Sequence, residues 1–85
     1  MTDATIVKAI WALLDARDLA ASICPSDVAR ALATDEQAWR ALMPRVRRVA
    51  ASLARDGLLK VTRGSSVVDA TAGGGPVRLR RPDAR

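Results

Sequence analysis

Arginines recur between positions 40 and 55 at a spacing that gathers them on one side of a helix. Over Trp39 to Gly57, at about 100° per residue, Trp39, Leu42, Met43, Val46, Val49, Ala50 and Leu53 fall together. Arg40, Arg47, Arg48 and Arg55 fall opposite, with Arg45 at the margin. A helix divided in this way buries its apolar stripe and turns a row of guanidinium groups to solvent. Such groups bind phosphates and carboxylates in a planar fork, so the chemistry on offer is non-covalent capture of a polyanion. Further along, Lys60, Arg63, Arg78 and Arg80, with the hydroxyls of Ser65 and Ser66, extend the same potential. The competing role for each Arg is a solvated side chain or a weak ion pair with the acidic N-terminal half.

Catalytic chemistry finds little support. Cys24 stands beside Pro25 at an expected helix start, a setting in which thiols can be activated. The chain has no His to serve as its base, so Cys24 reads as a buried structural thiol. Gly73-Gly74-Gly75 leads into Pro76 and an extended run rather than into a helix with Lys-Ser/Thr, so it is not a phosphate loop. Asp15 and Asp18 lie three apart near a helix end, where solvation accounts for them. A single Cys excludes an internal disulfide, and without His the mixed Cys/His zinc sites fall away as well. No cofactor or metal is expected.

Charge is divided along the chain. Residues 1 to 38 hold three basic and six acidic side chains, net −3, and residues 39 to 85 hold eleven basic and three acidic, net +8. An asymmetry of this kind orients a molecule toward a polyanion. At 85 residues with 17 Ala, two Trp and neither Phe nor Tyr, one small domain with a thin core is expected, and a partner such as a second copy could supplement it. The apolar run Ala9 to Leu14 is far short of a membrane span or a signal-peptide core, which points to the cytoplasm.

These side chains need elements to hold them. Asp3 is positioned to cap a first helix from about Ala4 to Arg17, with Ile6, Ile10, Leu13 and Leu14 inward. Ile23 reads as an isolated extended residue available to a later strand. Pro25 opens a short second helix that ends near Ala33, with Asp27 in its first turn and Val28 and Leu32 as the buried pair. Thr34 to Gln37 has capping-box spacing and starts the third helix. Pro44 either kinks one helix from about Asp35 to Asp56 or splits it at Met43, and the kinked form is favoured because Pro44 falls on the outward face. Gly57 terminates that helix, with Leu58 folding back onto Leu53. Leu59 to Arg63 and Pro76 to Arg81 alternate as two antiparallel strands, with Lys60, Thr62, Arg78 and Arg80 outward. The twelve residues Gly64 to Gly75 form the intervening loop, and Arg81 to Arg85 a frayed basic tail.

Three helices followed by a hairpin with a long tip is a winged helix-turn-helix order. The runs Ile23-Cys-Pro-Ser-Asp-Val-Ala-Arg-Ala-Leu32, Trp39-Arg-Ala-Leu-Met-Pro-Arg-Val-Arg-Arg48, Val61-Thr-Arg-Gly64, Val68-Asp69 and Gly75-Pro-Val-Arg-Leu79 resemble a family of small bacterial winged-helix proteins of unknown function. The likeness spans about residues 4 to 81, and Trp-Arg-x-Leu-Met-Pro is its most specific part. The segment Ala72 to Gly75 is longer and richer in glycine than the family's usual loop. The resemblance implies the fold and assigns no catalytic residue. In winged helices that bind DNA, the third helix enters the major groove and the hairpin follows the backbone. By that likeness Arg40, Arg47 and Arg48 would meet base edges or phosphates, and Lys60, Arg63, Ser65, Ser66, Arg78 and Arg80 would meet the backbone.

The sequence therefore predicts one α+β domain over residues 1–81, a winged helix-turn-helix of three helices plus a C-terminal β-hairpin wing, with a basic tail over 82–85. Its expected partner is duplex DNA, contacted through Arg40, Arg45, Arg47, Arg48, Arg55 and the hairpin. The alternative is a protein-interaction module, dimerising or docking, that does not bind DNA.

Overall fold

The structure, a computed structural model, describes residues 1–82. Helix α1 spans Asp3–Asp15. Its N-cap is Thr2 rather than Asp3, because the Thr2 hydroxyl accepts from the amide of Thr5. Asp3 is thereby left in the first turn, where the helix dipole favours a carboxylate. Ile6, Ile10 and Leu14 form its buried stripe, and the helix stops two residues short of the expected Arg17.

Helix α2, Pro25–Leu32, begins with proline at a position whose amide has no helical partner. Asp27 reaches back to accept from the amide of Cys24 at 2.9 Å. Its buried residues are Pro25, Val28 and Ala29, and Leu32, expected to be buried with Val28, is only half-buried. Helix α3, Glu36–Arg55, runs unbroken through Pro44. Asp35 caps it, accepting from Ala38 N at 3.0 Å, one residue later than the Thr34 cap expected. A carboxylate is the stronger acceptor for a positively polarised helix start.

The end of α3 follows the glycine termination pattern. Gly57 adopts φ +75°, its amide donates to Ala54 O at 3.0 Å, and the amide of Leu58 donates to Leu53 O at 3.0 Å. The Leu58 side chain does not fold back with its backbone and stays 52% exposed.

The strands β1 (Ser22–Ile23), β2 (Lys60–Arg63), β3 (Ser66–Val67) and β4 (Arg78–Arg80) form one antiparallel sheet in the order β1-β4-β2-β3. With three helices this makes an α+β domain. Leu79 stands opposite both Ile23 and Val61, so the expected pairing of residue 23 and of the two C-terminal strands is present. The loop from Gly64 to Gly75 is a correction. Gly64 and Ser65 make a two-residue turn, with φ +60° at Gly64 and no positive φ at Ser65, and β3 returns immediately along β2. That pattern of signs is the one a type II′ hairpin turn requires.

Helices and sheet meet over a core of fully buried Ile6, Ile10, Ile23, Val28, Val46 and Leu79. Thr62, expected outward, is 4% exposed. Its strand is central, with Val67 in register on one side and Arg78 on the other. Arg81 is half-buried and ion-paired with Asp15 rather than frayed, and Asp83 to Arg85 lie outside the described residues. No helix among the described residues is long and apolar enough to cross a membrane.

Candidate nucleic-acid interface

Helix periodicity decides which arginines of α3 face solvent. At about 100° per residue, Arg48 and Arg55 lie within 20° of the direction opposite the buried stripe, and both are exposed. Neither makes a hydrogen bond or ion pair among the described residues. Gln37, Ala41, Pro44 and Ser52 share this exposed strip. Three of those four are small, so an incoming surface can approach the helix backbone closely.

The flanks differ. Arg45 and Arg47 lie about 80° to either side of the strip's centre, where neighbouring elements reach them. Arg45 Nε donates to Asp3 Oδ1 of α1 at 3.0 Å. Arg47 Nη1 donates to the carbonyl of Ala70 at 3.3 Å. Ala51, on the same side of the helix, is only 7% exposed. Arg40 pairs with Glu36 one turn back at 3.4 Å, both side chains remaining open to water. It also lies 5.1 Å from the centre of the Trp39 ring, with Arg30 of α2 at 4.6 Å. Trp39 is half-buried and packed against the core.

The arginines of the sheet are hydrogen-bonded within the fold, although Arg78 stays exposed. Arg63 Nη2 donates to Gly75 O at 3.0 Å, so this guanidinium pins the 68–77 segment back onto β2. Gly74, at φ +113°, passes so close that a Cβ there would meet Arg63 Nη1 at 3.1 Å. Arg78 bridges β4 to β1, donating to Ser22 Oγ and Ser22 O at 2.9 Å each and to Cys24 Sγ. Cys24 is thus a half-buried acceptor rather than the buried structural thiol expected. Arg80 donates to Ala20 O at 2.8 Å. Lys60 is half-buried and is also engaged, and Ser65 and Ser66 are exposed at the β2–β3 turn.

The predicted basic set is therefore divided. Arg40, Arg48 and Arg55 share one helix surface, Arg45 and Arg47 flank it, and Arg63, Arg78 and Arg80 hold strands and loops together. Uncharged Gln37, Ala41, Pro44 and Ser52 complete the exposed surface. Periodicity carried that signal, since Gln37 lies at the same helical angle as Arg55.

One titratable group near this surface is displaced from its ordinary range. The Asp69 carboxylate accepts from the Thr71 hydroxyl at 2.6 Å and the Thr71 amide at 2.7 Å. These bonds, the hydroxyl's foremost, hold its pKa below the usual 3.8, with the charge of Arg55 adding a smaller pull and partial desolvation opposing.

The comparisons with known proteins agree with a small uncharacterised family. A family model described as a protein of unknown function (DUF3253) matches residues 3–82. No curated protein matches the chain.

Proposed function

The chain belongs to the DUF3253 family, and we propose that it is a winged-helix module that binds duplex DNA through the exposed strip of α3. The observation that carries this reading is the strip itself: Arg48 and Arg55 two turns apart, about 10.5 Å along the axis, separated by small side chains and making no hydrogen bond or ion pair among the described residues. A major groove about 12 Å wide admits such a helix. The element order supports the reading too, since β4 lies between β1 and β2, as in a winged helix, and the Gly64-Ser65 turn forms the wing tip.

Arg40 joins Arg48 and Arg55, because an exposed i,i+4 pair such as Glu36–Arg40 is worth only about 0.3–0.5 kcal/mol and yields to a phosphate. Arg45 can contribute from the flank. Arg47, Arg63, Arg78 and Arg80 act in this reading as braces rather than as DNA contacts.

Three phosphate contacts set a measurable expectation. Fluorescence anisotropy with random-sequence duplex should give log K falling by about 2.7 per tenfold rise in salt, at about 0.9 per contact. The double replacement Arg48→Gln with Arg55→Gln should cut that slope to about 0.9. Absence of binding at low salt, or a slope indifferent to the double replacement, refutes the proposal.

A protein-interaction module is the second reading. It is favoured by Val67, 68% exposed on the edge strand β3, and by the number of guanidinium groups committed inside the fold. Sedimentation showing a concentration-dependent dimer, together with no DNA binding, would select it.

A further inference from the structure

Between α1 and α3 lies an open cavity of about 250 Å³. Val7, Val49 and Leu53 supply its apolar surface, and Arg48, Ser52 and Arg55 bring two guanidinium groups and a hydroxyl from successive turns of α3. Asp3 also lines it, but that carboxylate is already paired with Arg45. The charges around the cavity are thus Arg45, Arg48 and Arg55 against Asp3 and Asp69, the latter acting on Arg55 from outside the lining, net +1. Two guanidinium groups that make no hydrogen bond or ion pair among the described residues, beside a small apolar recess, complement a ligand with one anionic head and a compact apolar body.

We infer that the α1–α3 cavity is a binding site for a small organic anion of that kind, an aliphatic carboxylate or phosphate ester. Arg48 and Arg55 grip the head, Ser52 donates a hydrogen bond to it, and Val7, Val49 and Leu53 receive the chain. A volume below the roughly 300–1,000 Å³ of sites for drug-sized ligands restricts the body to a few carbons. This inference does not depend on DNA binding, and its test is performed without nucleic acid.

The experiment is an NMR titration of the full chain with hexanoate, acetate and hexanamide as probes, following the amide signals of Val7, Val49, Ser52 and Leu53. Hexanoate should shift these signals saturably. Acetate, which lacks the body, and hexanamide, which lacks the charge, should each bind at least tenfold more weakly. Arg48→Gln with Arg55→Gln should lower hexanoate affinity by at least tenfold. Arg17→Gln, an exposed arginine outside the cavity, should leave it unchanged. All the replaced side chains are exposed, so the variants should keep the wild-type melting temperature, which is measured in parallel.

Acetate binding as tightly as hexanoate would reduce the site to diffuse attraction of anions and overturn the inference. Hexanamide matching hexanoate would do the same by removing any role for the guanidinium groups. No saturable hexanoate shift, or equal affinity in the double variant, would also overturn it.

Discussion

Arg47 and Arg48 are neighbours of one type, yet replacing each with Ala should have different consequences. Arg47 donates to the carbonyl of Ala70, a residue with no exposed surface. Removing the donor leaves an acceptor facing a covered flank, which costs about 1–3 kcal/mol for a buried unsatisfied group. The 3.3 Å separation places this case at the low end, about 1 kcal/mol. Arg48 is exposed and makes no hydrogen bond among the described residues, so Arg48→Ala should stay within about 0.5 kcal/mol of wild type. For a domain of this size 1 kcal/mol corresponds to about 4–8 °C in Tm. Thermal and urea unfolding of both variants should show that gap with a common urea m-value. Arg47→Lys should recover part of the loss through its charge and stem. Indistinguishable melting of the two Ala variants would refute the reasoning and show that water replaces Arg47 at no cost. The outcome also selects the reagents for DNA work: Arg48 and Arg55 can be altered without loosening the fold, and Arg47 cannot.

Pro44→Ala should stabilise the protein by about 1–2 kcal/mol in urea unfolding. The exposed interior of α3 regains a hydrogen bond to Arg40 O and sheds a penalty of about 3 kcal/mol, offset in part by the freer unfolded chain. Leu79→Ala should cost about 2–5 kcal/mol, because Leu79 is fully buried between Ile23 and Val61; circular dichroism should show a large unfolded fraction at 37 °C. Asp69 has a folded-state pKa depressed from 3.8 by Thr71 and Arg55, so its contribution is fully present above its unfolded pKa and is lost as pH falls through the folded one. Thr71→Ala should raise the Asp69 carboxyl pKa in an NMR titration and flatten the acid limb of stability below about pH 4; an unmoved pKa would contradict the assigned cause.

Elements with a strong local signal were legible in the sequence. The apolar stripe from Trp39 to Leu53 located α3 within a residue at each end, Pro25 marked the start of α2, and Gly57 marked the helix stop. Ile23 was recognisable as a strand partner despite its isolation. What escaped depends on distance along the chain. The carbonyls that hold Arg78 and Arg80 lie 56 and 60 residues away, and helical or strand periodicity carries no record of such partners. Thr62 alternates as a surface residue should, and only the neighbours flanking its strand bury it. The β2–β3 turn did leave a trace in Gly64-Ser65, but a two-residue return strand is too short to show alternation. At the caps Thr2 and Asp35 displaced Asp3 and Thr34 by one residue each, since adjacent side chains of similar capping ability compete for the same amides.

The placement of β4 has a consequence for biosynthesis. The strand between β1 and β2 leaves the ribosome after both of its partners. Until it emerges, Ser22–Ile23 and Lys60–Arg63 cannot be bridged, and their flanks stay open to pairing with other nascent chains. Helices can condense early on the growing chain, but the sheet closes only once Arg78–Arg80 have emerged. A stop codon before Arg78 would therefore remove the middle of the sheet, not its fringe, and the shortened product should be a substrate for proteolysis.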